Sequence, residues 1–288
     1  MPLNTANIGR ATDYFEHDVD ARWLMAYAAS LNDLNPKYMD TTAGPVCAHP
    51  LFPVCLEWPS ILATRSLLGD DLSDAESARG VHAAHDLHII KPIRSGTTLR
   101  TKATLIGVER IKPGAGYTLR LDTIDETGDL VCQTFQFGIY RDVAVTGTET
   151  AAIAAPELPP LQPINQASTD IPVAAGCAHT YTECARIWNP IHTDRQFAQD
   201  AGLADIILHG TATMALAVSQ LVEQFTQGQP HRVTRIGGRF AAMVFMPSIL
   251  KLQSSNISAQ PDGSQVVSYN VVTAENTSAI SRGFFVFK

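Results

Sequence analysis

The feature that most constrains this chain is an internal duplication. Tyr27, Asn35, Pro36 and Asp40 recur in register as Tyr181, Asn189, Pro190 and Asp194. Tyr to Asn is eight positions in both copies, and Asn to Asp is five. Each copy is followed by a histidine ahead of an apolar segment, His49-Pro50 in the first and His209-Gly210 in the second. Two copies are too few for a solenoid, so the repeat implies an internal pseudo-dimer.

The stretches around the copies agree with that reading. Residues 211–225 are Ala-rich, Gly-free and apolar on most faces, which predicts a buried helix closely packed by its neighbours. The matching helix of the first copy is expected to be broken by Pro53 and Pro59, leaving 60–68 free to run with Ser60 as its cap. Strand-like runs follow each helix, at 81–91, 97–109, 117–126 and 130–140, then at 233–245, 249–259, 265–274 and 278–287. One helix and about four meandering strands, twice over, give an α+β class with a helix wrapped by antiparallel sheet. Four prolines (Pro156, Pro159, Pro160, Pro163) mark residues 143–170 as an extended linker between an N-terminal unit, 1–142, and a C-terminal unit, 171–288.

Composition narrows the partners. Lys+Arg number 21 against 28 Asp+Glu, for a net charge of −7 without a long basic run, which argues against nucleic acid or an anionic membrane as partner. No apolar stretch approaches the roughly 20 residues of a membrane span, and the N-terminus lacks a signal-peptide layout. Five cysteines without a CxxC pair suggest reduced thiols in a cytoplasmic protein.

The sharpest local signal is Asn189-Pro190-Ile191-His192-Thr193-Asp194, followed by Leu208-His209-Gly210-Thr211. With the duplicated layout, this resembles the MaoC-like (R)-specific enoyl-thioester hydratases and dehydratases of the double hot-dog fold. The resemblance is specific in the second half and partial in the first. It implies hydration of a trans-2-enoyl thioester, or dehydration of a 3-hydroxyacyl thioester, acyl-CoA before acyl carrier protein. It implies no cofactor beyond the CoA carried by the substrate, and no metal. His192 maps onto the catalytic imidazole and the Gly210 amide onto the donor that holds the thioester oxygen. Asn189, His209 and Thr211 are expected to shape the loop and bind substrate. The chemistry is sound for these groups: imidazole exchanges protons near neutrality, and a helix amino end offers unpaired N–H groups to a developing oxyanion. Gly210 would let substrate approach that backbone.

One departure stands out. The family's aspartate falls at position 187, where this chain has isoleucine. The first copy keeps the carboxylate as Asp33, beside Asn35, but has Tyr38 in place of the histidine, and reads as a vestigial site. The resemblance places the two motif copies apart, so Asp33 is not expected to complete the site of His192. Glu183, one turn before Ile187 if the segment is helical, is the leading substitute acid; Asp194 and Asp205 are weaker ones. Alternatively His192 acts alone, or the chain binds acyl thioesters without turning them over; a thioesterase on the same fold is a third reading. A broken N-terminal helix would suit a bulky acyl group. His82, His85 and His88 look like a metal cluster, but strand alternation sets His85 opposite the other two. Arg141, Arg235 and Arg239 are read as solvated surface groups before phosphate ligands. The tandem pair allows a monomer or a homodimer.

Overall fold

The computed structural model describes residues 2–69, 72–148, 156–165 and 168–288. Its longer helices are α1 (Ala21–Ser30), α2 (Pro53–Gly69), α3 (Cys177–Ala185) and α4 (Gly210–Thr226). Two compact units emerge, and they interleave in sequence. The first comprises Met1–His17, Leu56–Ile90 and Thr98–Leu158; the second comprises Asp18–Cys55, Lys91–Thr97 and Pro159–Lys288. The whole motif region of the first sequence copy, 18–55, therefore clusters with the second.

In the first unit, Thr97–Ile111, Gly114–Ile124 and Leu130–Arg141 form an antiparallel meander, and Gly80–Ile89 pairs with the last of these. Side-chain alternation puts rows of residues on the face toward α2. One row runs Thr101, Thr123, Cys132, Ile89; the next Ala103, Leu121, Thr134, Leu87; the third Leu105, Leu119, Gln136, His85. Leu105, Leu119 and Leu121 join Leu3, Tyr117 and Tyr140 in the apolar core.

Helix α2 is a correction. The two prolines do not break it; it runs unbroken over Pro53–Gly69 with Pro59 inside. Pro53 occupies the first turn, where its missing N–H has no helical partner anyway. Pro59 removes only the bond that would reach Cys55, a loss of about 3 kcal/mol or more in an exposed helix that burial of the flanking residues offsets here. Ser60 is consequently mid-helix rather than a cap, and its hydroxyl donates to the Thr101 carbonyl at 3.0 Å. The argument for a bulky acyl group from a broken helix falls with this.

In the second unit the strand order is Val233–Phe240, Ser278–Phe287, Gln265–Val272, Ser248–Ser254, Thr169–Val173, every neighbouring pair antiparallel. Helix α4 buries Ala212, Met214, Ala215, Ala217, Val218 and Leu221. The linker is shorter than expected at both ends: Val145–Thr146 pairs with Leu3–Asn4, and Thr169–Val173 is an edge strand. Of its middle, 149–155 and 166–167 lie outside the described residues. The proline-rich part is extended and anchored, with Gln162 N–H donating to Ser268 Oγ at 2.7 Å and Leu161 packing on Val266 and Phe284. Among the described residues, no helix is long and apolar enough to cross a membrane.

The duplicated residues do matching structural jobs in this unit. Asn35 and Asn189 cap the short helices Pro36–Met39 and Pro190–His192, accepting from Lys37 and Ile191 N–H. Asp40 and Asp194 cap the next turns, accepting from Thr42 and Phe197 N–H. Tyr27 and Tyr181, both fully buried, face each other with hydroxyls 3.5 Å apart. Helices α1 and α3 are joined by the Trp23 indole, which donates to the Cys184 carbonyl at 3.0 Å and carries the Arg186 guanidinium over its ring at 3.9 Å. Asp20 caps α1 by accepting from Trp23 N–H at 2.7 Å. Asp20→Ala is expected to lower stability by about 1 kcal/mol, read as a lower midpoint in denaturant titration with an unchanged slope.

Candidate functional site

His192 sits in the 3-10 turn that Asn189 caps, and its ring is buried. Its Nδ1 lies 2.8 Å from the Ile207 carbonyl oxygen. A carbonyl only accepts, so Nδ1 carries the proton and Nε2 keeps a lone pair. The ring stacks on His209, centroids 3.6 Å apart and planes 26° from parallel. His209 Nε2 meets the Thr182 hydroxyl at 3.2 Å, on α3. Burial lowers the pKa of His192 to about 4, against the opposing pull of the Ile207 carbonyl. Burial, then the neighbouring His192, holds His209 well below its ordinary value as well. Two neutral imidazoles face each other: His192 keeps a basic nitrogen at Nε2, and His209 Nδ1 has no hydrogen-bond partner among the described residues.

His209 is also the residue ahead of α4 and gives that helix no side-chain cap, so no side chain of that residue covers the first amides, including that of Gly210. Thr211 accepts from the Tyr181 hydroxyl at 3.2 Å. At Gly210 the missing side chain has a packing reason. A Cβ would lie 2.9 Å from Phe240 Cδ1, so the Phe240 ring occupies the side-chain direction of Gly210. Beside the motif lies a cleft of about 310 Å³ whose walls include His179, Thr182, Glu183, Trp188 and Asn189.

Several expected roles change. Helix α3 stops at Ala185, with Arg186 in the left-handed region (φ 58°), so Ile187 is not one turn beyond Glu183 on the same face. Glu183 is exposed on the cleft wall instead. Ile187 is buried. Asp194 is committed to its cap, and Asp205 makes a two-pronged ion pair with Arg195 at 2.9 and 3.1 Å. Burial, then the neighbouring Glu183, raises the Cys184 thiol pKa.

In the first copy, Asp33 accepts from Asn35 N–H at 3.2 Å, and Asn35 Nδ2 donates to the Gly228 carbonyl at 2.9 Å. Tyr38 is buried with its ring 5.6 Å from that of His49. His49 adopts the opposite tautomer to His192: its Nδ1 accepts from Leu51 N–H at 3.1 Å, and its Nε2–H donates to Ser219 Oγ at 3.2 Å. No lone pair is left over there. Asp33 acts electrostatically on His49 and Tyr38, within its own copy.

The histidine triplet on Gly80–Ile89 also differs from expectation. A register shift between His82 and Ala84 brings His82 beside His85, ring centroids 5.4 Å apart, while His88 pairs with Asp86 at 3.2 Å. Arg141 and Arg239 are exposed, and Arg235 lies over the Phe284 ring. Sequence reasoning missed Thr182, Ile207 and Phe240. Thr182 directly follows the repeated Tyr181 and so was within reach; a backbone carbonyl such as that of Ile207 leaves no residue-type signal.

Residues 162–278 match the MaoC like domain, and residues 6–134 match the FAS1-like, dehydratase domain region. Each half is thus similar to a dehydratase-type domain, the second to the MaoC-like one. Mouse peroxisomal multifunctional enzyme type 2 is 26% identical over 206 residues, which is 67% of this chain and 27% of that protein. The 3-hydroxyacyl-thioester dehydratase Y of Mycobacterium tuberculosis is 34% identical over 122 residues, 42% of this chain and 41% of that one. The first curated relatives are longer: the chain spans 27%, 56% and 32% of their lengths. A MaoC-like dehydratase from Phytophthora capsici superposes with a TM-score of 0.81 at 21% identity, over 97% of this chain and 95% of that one. A Mycobacterium tuberculosis protein described as a double hotdog fold superposes at 0.61 and 16% identity, over 97% and 95%. The fold is the double hot-dog.

Two outcomes follow from this geometry. His49, His85 and His192 are buried with pKa values lowered to about 4, so the unfolded chain binds protons first as pH falls. The histidines' contribution is fully present above pH about 6.5 and is lost as pH falls toward 4, whereas that of Glu57, raised to about 7, is present at low pH and lost as pH rises through 7; thermal unfolding across pH 4–8 measures this. Gly210→Ala is expected to cost about 1–3 kcal/mol by displacing Phe240, visible as a lower Tm without any ligand.

Proposed function

We propose that this protein is a hydro-lyase that adds water to trans-2-enoyl thioesters or removes it from 3-hydroxyacyl thioesters, with acyl-CoA as the carrier. The observation that carries the proposal is the Nδ1 bond of His192 to the Ile207 carbonyl, which leaves Nε2 as a base fixed within the hydratase-type motif. In the hydration direction Nε2 takes a proton from water as the water oxygen bonds to C3. The electron pair moves to the thioester oxygen, which the Gly210 amide holds. The imidazolium then returns the proton to C2, and the imidazole is restored. General acid–base help of this kind contributes about 10²–10⁴-fold, so one imidazole serving both steps sustains a reaction without the carboxylate that Ile187 replaces.

In this reading Thr182 orients His209, His209 supports the His192 ring, Asn189 fixes the turn, and Thr211 lines the substrate's path. Glu183 and Trp188 on the cleft wall contact substrate rather than move protons. Asp33, Asn35 and Tyr38 form a copy whose histidine, His49, keeps no lone pair, and serve as scaffold. The halves 1–142 and 171–288 are two copies of one ancestral unit. The chemistry uses side chains, a backbone amide and water only, and five cysteines outside any disulfide suit the cytoplasm. Ile187 favours one second reading, an acyl-thioester binding protein without turnover.

The test follows the conjugated enoyl-thioester absorbance with crotonyl-CoA and longer enoyl-CoAs. Wild type turns over, and His192→Ala loses at least 10²-fold in kcat/KM with little change in Tm. Ligand binding without turnover in either protein supports the second reading. Because Nε2 must be unprotonated, kcat/KM for hydration is expected to be flat from pH 6 to 8 and to fall as pH drops toward about 4.

A further inference from the structure

The first unit carries a second set of unexplained polar groups, away from the duplicated motif. Under α2, Glu57, His85, Thr134 and Gln136 are each almost completely buried. The Thr134 hydroxyl donates to Glu57 Oε1, but Glu57 Oε2 has no hydrogen-bond partner among the described residues. The same holds for both ring nitrogens of His85 and for Gln136 Oε1. The sheet register makes these neighbours. His85 is the cross-strand partner of Gln136, and Thr134, two residues on, shares their face. Directly opposed side chains have Cβ atoms about 4.5–5.5 Å apart and diagonal ones about 7–8 Å. Glu57 is tied to the middle of this group through Thr134.

Four orphaned atoms on three buried side chains are not an ordinary core. Buried polar atoms in folded proteins are almost always paired, because each one left alone bears its full desolvation penalty. An apolar filling of this face would be more stable, as the adjoining Leu119 and Leu121 illustrate. We propose that Glu57, His85 and Gln136 form a second ligand site in the first unit, between α2 and its sheet, for a small neutral guest bearing a hydroxyl or a primary carboxamide.

The chemistry selects that class. Burial raises the Glu57 carboxyl to about 7 and lowers His85 to about 4, so below neutrality both are uncharged. Glu57 then offers an O–H donor, and His85 one N–H donor and one lone pair. Gln136 Oε1 adds an acceptor. A guest must therefore both donate and accept, and an anion would meet no countercharge in this group. The site is independent of the His192 chemistry.

The experiment is an imidazole ¹⁵N NMR titration at pH 6, with acetamide and 1,2-propanediol as probes and sodium acetate as charged control. The neutral probes are expected to shift the His85 ring signals saturably while leaving those of His192 unmoved, and acetate to shift neither. His85→Phe weakens acetamide binding at least tenfold by thermal shift. Glu57→Gln, which keeps a donor for the guest and an acceptor for Thr134, retains it within about threefold. His85 signals that no neutral probe moves would mean ordered water only, and would overturn the proposal. So would an equal response to acetate, or loss of binding in a folded Glu57→Gln protein. The wild-type titration decides by itself if a variant fails to fold.

Discussion

The hydrogen bond from His192 Nδ1 to the Ile207 carbonyl governs the rest of the site. It chooses the tautomer, holds the ring plane against His209, and leaves Nε2 as the nitrogen with a lone pair. The bond depends on two segments meeting: the turn that Asn189 caps, and the stretch entering α4. The latter is held by the Leu208 N–H bond to the Val244 carbonyl at 2.8 Å and by Ile207 bridging to Phe245. A base on a flexible loop would need ordering at each turnover; here the backbone of two strands and a capped turn has already done that.

The duplication shows how one framework supports different chemistry. Both copies keep the tyrosine, the asparagine and aspartate caps and the following histidine, because these residues terminate helices and fill the centre of the unit. Among the many positions that differ, three bear on the proposed proton chemistry. The first copy has Ala28, Asp33 and Tyr38 where the second has Thr182, Ile187 and His192. Thr182 supplies the hydroxyl that meets His209; in the first copy Ser219, from α4, takes that place for His49. Both histidines meet a hydroxyl through Nε2; they differ at Nδ1, which in His49 accepts from Leu51 N–H and in His209 has no hydrogen-bond partner among the described residues. The proposed base itself has no counterpart, since the first copy has Tyr38 where the second has His192.

Much of this could be read from residue order. The α+β layout, the strand runs and the buried Ala-rich helix follow from periodicity, and the caps from Asn and Asp ahead of short turns. The errors have physical causes. Pro59 argued for a break in α2 because local propensity was weighed without the burial that overrides it. His82 was placed opposite His85 because alternation presumes no bulge, and the strand has one. Glu183 was put in line with Ile187 because the left-handed turn at Arg186 falls on a residue type that gives no warning of it. The interleaving of the compact units was hidden too, since residues 18–55 carry no marker of which sheet they will join.

The two helix–sheet interiors divide the burdens of the fold. Helix α4 meets its sheet through alanine and branched aliphatic side chains beside Phe284 and Phe285, a tight apolar contact that fixes the amino end of the helix where Gly210 lies. Helix α2 meets its sheet partly through Ser60, Thr101, Thr123, Cys132 and Glu57, and the Thr134 hydroxyl's bond to Glu57 leaves one carboxyl oxygen without a partner among the described residues. Dispersion and hydrophobic burial at Leu105, Leu119 and Leu121 must offset that cost, and they lie in the same rows as the polar residues. A core under selection for stability alone would extend the leucines across to Gln136 and His85. That it does not, while the apolar neighbours are ordinary, locates the constraint on those two strands rather than on the unit as a whole.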